Sequence, residues 1–108
     1  MMDRPAVLVL VRDGVERGTI ERELRELAVV PVAVRAAGAH AALAHYRPVA
    51  VVLDDDHAAT APDAFVSESL ARGVRLVAMP SALARPLRSQ LLRDALREAR
   101  RTYDGSPR

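Results

Sequence analysis

The sequence contains no cysteine, no lysine and no tryptophan, and its aromatic residues are two tyrosines and one phenylalanine. Without cysteine, a disulfide framework and any thiolate metal site are excluded. Without lysine, all basic side-chain charge rests on arginine, which stays ionised at every accessible pH. That is why a formal charge of only +2 goes with a calculated pI near 9.9. Long apolar runs are also missing. The longest are of strand length, so no membrane span is expected. The start, Met1 to Arg4, carries an acid, and the apolar run behind it stops at Val11, which does not read as a secretory signal. The expectation is a cytoplasmic protein with no membrane partner.

What is present is a chain of 108 residues, half of them apolar, enough for one domain with one modest core. Residues 85 to 108 hold seven arginines against three acids, while the rest holds nine against eleven. The basic charge is therefore concentrated at the C-terminal end. The last amphipathic segment has no aromatic interleaving and its arginines fall on the polar side, so nucleic acid is not the expected partner.

Hydrophobic patterning alternates between two periods. AVLVLV (Ala6 to Val11) is a continuous apolar run suited to a strand covered on both faces. Ile20, Leu24 and Leu27 then recur at helical spacing among charged residues. Val29 to Val34 reads as a second strand. Its Pro31 cannot donate to a ladder, which places it at a sheet edge. Gly38 to Tyr46 is an alanine-rich helix, and Val49 to Leu53 a third strand. Thr60 with Asp63 resembles a capping box, with Pro62 in the first turn and Gly73 as the stop. Val74 to Met79 is a fourth strand, and Leu87 to Arg101 an amphipathic helix with Leu92, Ala95, Leu96 and Ala99 on one face. The β-α-β-α-β-α-β-α order predicts an α/β fold, a doubly wound parallel sheet ordered 2-1-3-4. Residues 1–103 form the domain and 104–108 a flexible tail.

The unusual stretch is PVAVVLDDDH, where a buried strand runs into three aspartates. Functional residues in open parallel sheets gather at the carboxyl ends of the strands. Here those ends are Arg12-Asp13, Asp54 to Asp56, and Pro80-Ser81. With the first and third strands adjacent, two acidic turns share one rim.

These residues resemble the receiver domain of bacterial two-component response regulators. HYRPVAVVLDDD is similar to that family's approach to its third strand, and the resemblance puts Asp54 at the phospho-acceptor position. AVLVLVRDG resembles the first strand, which in the family ends in an acidic pair that holds magnesium; here the pair reads Arg12-Asp13. ARPLRSQLLRDAL resembles the Lys-Pro turn and last helix, with Arg85 at the lysine position, and Ser81 stands at the hydroxyl position. The resemblance implies a flavodoxin-like fold. It also implies a weak magnesium site at Asp13, Asp54 and Asp56, and a histidine kinase, another signalling protein or a second copy as partner. Too few residues separate the fourth strand from Arg85 for the family's fourth helix and fifth strand, so both are expected to be reduced or missing.

Phosphoryl transfer to a carboxylate needs in-line positioning and cancellation of charge on the equatorial oxygens. A minimal magnesium site could use carboxylates, carbonyls and water. Arginine keeps the charge at position 85 but has a wider fork than lysine. Two outcomes follow for the triplet. Either Asp54 is a weakened phosphorylation site, or Arg12 and Arg85 pair with the acids permanently, as in a pseudo-receiver. The second is preferred. It requires Asp13 and Asp54 to approach each other with Arg12 or Arg85 in ion-pair range of one of them, and Asp54→Asn to leave stability unchanged or raise it. Asp55 and Asp56 are read as a solvated loop.

The remaining polar residues carry bland readings. His40 and His45 fall on different helix faces, His57 follows the triplet without a metal partner set, and Ser89 is a helix-start residue. The D-x-D of Asp54 to Asp56 also resembles the metal motif of Toprim nucleases and primases. The glutamate that motif needs after the first strand is not there, since Glu16 comes a turn too late. The missing elements uncover the flank of the fourth strand, so docking through Val74 to Pro86 and the last helix, as a homodimer or as a subunit of a larger assembly, is the expected mode of action.

Overall fold

The computed structural model describes residues 4–81 and 83–104. Four strands, β1 (Ala6–Leu10), β2 (Val30–Ala33), β3 (Ala50–Leu53) and β4 (Arg75–Ala78), form one sheet in the order β2-β1-β3-β4. All three pairings are parallel, with Leu8 opposite Val32 on one side and Val51 on the other. The chain is therefore α/β with the expected 2-1-3-4 sheet, a flavodoxin-like arrangement. Helices α1 (Gly14–Glu26), α2 (Ala36–Tyr46), α3 (Asp55–Thr60), α4 (Asp63–Ala71) and α5 (Arg85–Asp104) connect and cover it. Residues 105–108 of the expected tail lie outside the described residues, and Asp104 itself ends α5.

The central strands are apolar at every position because both of their faces are covered. Val7 and Val9 of β1 and Val52 of β3 pack with Ile20 and Leu24 of α1 and with Leu92 and Leu96 of α5. Leu8, Leu10, Val51 and Leu53 point the other way, against Ala39 and Leu43 of α2 and Phe65 of α4. Each fully buried Val or Leu contributes about 1.5–3 kcal/mol relative to exposure, so these two layers dominate the stability of a chain this short.

The sheet's two edges differ. On β2 the N–H groups of Val30 and Val34 reach Pro5 and Val9 across the ladder. Alternation then turns the nitrogen of Pro31 outward, where no donor is needed. On β4 the N–H groups of Arg75 and Met79 bond to Val49 and Leu53. Those of Leu76 and Ala78 therefore face away from β3. No strand follows β4 among the described residues; the chain passes directly to α5, as the short connection predicts.

Helix boundaries differ locally from expectation. The second helix begins at Ala36 rather than Gly38, and the last at Arg85 rather than Leu87, which puts Ser89 inside it. Thr60 does not start a capping box. It ends α3, and its hydroxyl donates to the Asp56 carbonyl at 2.8 Å. Pro62 is the N-cap of α4 instead, with no side-chain cap bond. The turn after α1 is closed in Schellman fashion: Ala28 N–H bonds to Arg25 and Val29 N–H to Leu24, and Ala28 takes φ 63°.

Candidate functional site

The carboxyl rim of β1, β3 and β4 answers why a buried strand ends in three aspartates. They are not a loop. Asp54 is the N-cap of α3, and Asp55 and Asp56 form its first turn. The amide groups at a helix N-terminus carry partial positive charge, so acids are favoured there.

Asp54 is 7% exposed and its carboxylate accepts three hydrogen bonds. The Arg12 backbone N–H donates to Oδ2 at 2.7 Å, while His57 donates to Oδ1 from its backbone N–H at 2.8 Å and approaches the same oxygen with Nδ1 at 2.7 Å. Burial works to raise the acid's pKa. The hydrogen bonds from the Arg12 and His57 amides and from the His57 ring outweigh it and hold Asp54 below the ordinary 3.8. An ionised carboxylate can only accept, so Nδ1 carries the proton of this contact and Nε2 is the nitrogen left over.

The other sequence-singled residues are spread around an open hollow of about 400 Å³ bordered by Arg12, Asp13, Glu16, the triplet and Ser81. Asp13 and Asp54 both border it, but Asp13 is the exposed N-cap of α1 and accepts from Glu16 N–H at 2.9 Å. The Arg12 guanidinium pairs with neither of these acids. It lies 3.9 Å from Asp56, with both side chains well exposed, a contact worth at most about 1 kcal/mol. Ser81 turns to Asp55 rather than Asp54, its N–H and hydroxyl 3.3 and 3.2 Å from Oδ2. Arg85 is not at the rim. Its first-turn position on α5 aims it at Glu23 of α1, 3.8 Å away, beside Arg88 at 3.3 Å. The expectation that Arg12 or Arg85 neutralises Asp13 or Asp54 is thus corrected: backbone amides and an imidazole hold Asp54, and Arg85 serves an interhelical pair.

These contacts also test magnesium. Both oxygens of Asp54 are engaged, Asp13 is used as a cap, and a guanidinium stands at Asp56. Among the described residues no three histidine or acidic side chains are grouped so that they could hold a metal ion. Asp13, Asp54 and Asp56 thus each have other partners in this arrangement.

Three participants have roles here that the sequence does not assign them. His57 is the most important, and its signal is an N-cap aspartate followed three residues later by a side chain able to reach back. Glu23, nearly fully buried, falls at i+3 from Ile20 within the apolar spacing of α1. Glu16 leaves Oε1 buried without a partner, and its pKa is raised, first by burial and then by the charge of Asp13.

Comparison with protein-family models, with curated proteins and with solved structures finds no match for the chain. Among the described residues no helix is long and apolar enough to cross a membrane.

Proposed function

We propose that this chain is a pseudo-receiver, a constitutive docking module of two-component-type signalling rather than a phosphate-operated switch. The observation that carries the reading is the threefold hydrogen bonding of Asp54. A phospho-acceptor must present a free carboxylate oxygen in line with the phosphorus, beside a cation that cancels charge. Here the acceptor position is a helix cap latched by its own histidine, and the positive residue of the lysine position is engaged with Glu23.

The docking surface is the flank of β4, and its partner is a second copy. Among the described residues no strand pairs with the outward N–H groups of Leu76 and Ala78, and unpaired edges favour strand addition. Arg75 and Glu98 lie 3.9 Å apart beside that edge. A two-fold axis across antiparallel β4 strands brings each arginine towards the other copy's glutamate, which makes the surface self-complementary.

Two measurements test this. Titration with magnesium and beryllium fluoride, followed by amide NMR, leaves Arg12, Asp54 and Ser81 unshifted; saturable shifts there would establish a phosphorylatable response regulator instead. Light scattering behind size-exclusion chromatography finds a dimer, and Ala78→Pro, which removes an outward donor without touching the β3 ladder, returns it to monomer. A wild-type protein that stays monomeric over a concentration series overturns the second-copy assignment.

A further inference from the structure

On the opposite side of the His57 ring from the acidic rim is a second hollow, an apolar cavity of about 70 Å³. Leu10 and Leu53, the last residues of β1 and β3, line it together with Phe65 of α4. Open α/β sheets bind small ligands at this place, beyond the carboxyl ends of adjacent strands. His57 borders this cavity and not the acidic hollow, whereas Asp54 borders the acidic hollow and not this cavity. The imidazole is the partition between them.

The chemistry that the ring offers is fixed by the contact on its far side. The ionised Asp54 carboxylate only accepts, so Nδ1 holds the proton and Nε2 presents a lone pair. Nε2 has no hydrogen-bond partner among the described residues, yet it is not sealed in. An occupant must therefore bring a donor. A carboxylate is excluded, because its lone pairs would face that of Nε2. An ammonium is disfavoured, because the lining holds no acidic side chain and a charge moved into apolar surroundings loses its hydration without a partner. A primary amide would leave its carbonyl without a donor. The other polar groups of the lining do not change this. Thr60 spends its proton on the Asp56 carbonyl, and His40 is exposed to solvent. What remains is a neutral O–H donor on a small apolar body. A cavity of about 150 Å³ holds benzene, so this one takes roughly three or four non-hydrogen atoms.

We infer that the cavity is a binding site for a short neutral alcohol, its hydroxyl donating to His57 Nε2 and its alkyl chain packed against Leu10, Leu53 and Phe65. Donation to Nε2 strengthens donation from Nδ1, since hydrogen bonds in a chain polarise one another. Occupancy of the cavity thereby tightens the hold on Asp54 and reaches the acidic rim. The site shares no residue with the β4 edge, so it stands or falls independently of dimer formation.

The test is a titration of the full chain with 1-propanol, followed by NMR of the amides and of the His57 ring nitrogens. Before addition, Nδ1 carries the proton and Nε2 gives the resonance of an unprotonated nitrogen. Saturable shifts at the Leu10, Leu53 and Phe65 amides are expected in the millimolar range. The Nε2 resonance moves upfield as it accepts the hydrogen bond. Propionitrile matches 1-propanol in non-hydrogen atoms but has no donor, and it binds at least about tenfold more weakly. Sodium propionate leaves the same amides in place. His57→Leu keeps apolar bulk without the acceptor and brings 1-propanol down to the level of propionitrile. If that variant does not fold, the Nε2 resonance decides. A protonated Nε2, absence of saturable shifts with 1-propanol, an unmoved Nε2 resonance, or equal binding of propionitrile overturns the assignment.

Discussion

His57 Nδ1 lies 2.7 Å from Asp54 Oδ1, and the His57 backbone N–H reaches the same oxygen at 2.8 Å. One residue thus contacts the buried carboxylate twice, and the chain 42 positions earlier supplies the third bond through Arg12. The acid at the strand end is a structural keystone between β1, β3 and α3.

Asp54→Asn is therefore destabilising, the reverse of what crowded like charge implies. An amide nitrogen would face an N–H donor on one side or the other, leaving it unsatisfied. The expected loss is about 2 kcal/mol, read from the urea midpoint at constant slope.

The same carboxylate sets part of the acid stability. Its folded pKa is below the unfolded value, so its contribution is fully present above the ordinary 3.8 and is lost as pH falls through the folded pKa. In thermal melts from neutral to strongly acidic pH, Asp54→Asn should show a shallower acid decline than wild type. Parallel curves would mean that other groups dominate.

Glu16 works in the opposite sense. Its folded pKa is raised, so the ionised form penalises folding at neutral pH, and the penalty disappears as pH falls below the ordinary 4.5. Glu16→Gln should raise the melting temperature at pH 7 and lose that advantage at low pH. A gain that persists unchanged in acid would trace to packing rather than charge.

Glu23 and Arg88 join α1 to α5 from mostly buried positions, at 3.3 Å. Arg88→Ala leaves the carboxylate, whose Oε2 already lacks a partner, with only the exposed Arg85 at 3.8 Å, and should cost about 3 kcal/mol. Replacing both residues by leucine should cost less than that single change, because no buried charge is left behind. A double variant less stable than Arg88→Ala would make the pair a net stabiliser.

Ala28 holds φ 63° at the end of α1, where glycine is the usual occupant. Ala28→Gly relieves that strain and should stabilise the protein by about 1 kcal/mol. Calorimetry checks the sign; a lower melting temperature would mean that the alanine methyl packs usefully.

The sheet was legible because its central strands are apolar without interruption, which only coverage on both faces permits, and because Pro31 marks its own edge. Asp54 was legible as the end of the third strand. Its partners were not. A six-residue helix reading DDHAAT has no apolar period, so the sequence reads as a loop there and gives His57 no position. Arg85 was misplaced by helix phase: once α5 starts at Arg85, positions 85 and 88 face α1 together, away from the rim. Glu23 sits on the apolar side of α1, where a carboxylate becomes intelligible only when the arginines of a distant helix are brought to it.

The proline on β2 has a consequence for assembly. A sheet with two receptive margins can add copies without end, as fibres do. Here one margin is receptive and the other, at Pro31, lacks a donor. In the proposed β4 dimer Pro31 would stand at both outer limits of the combined eight strands, which would end growth at the pair.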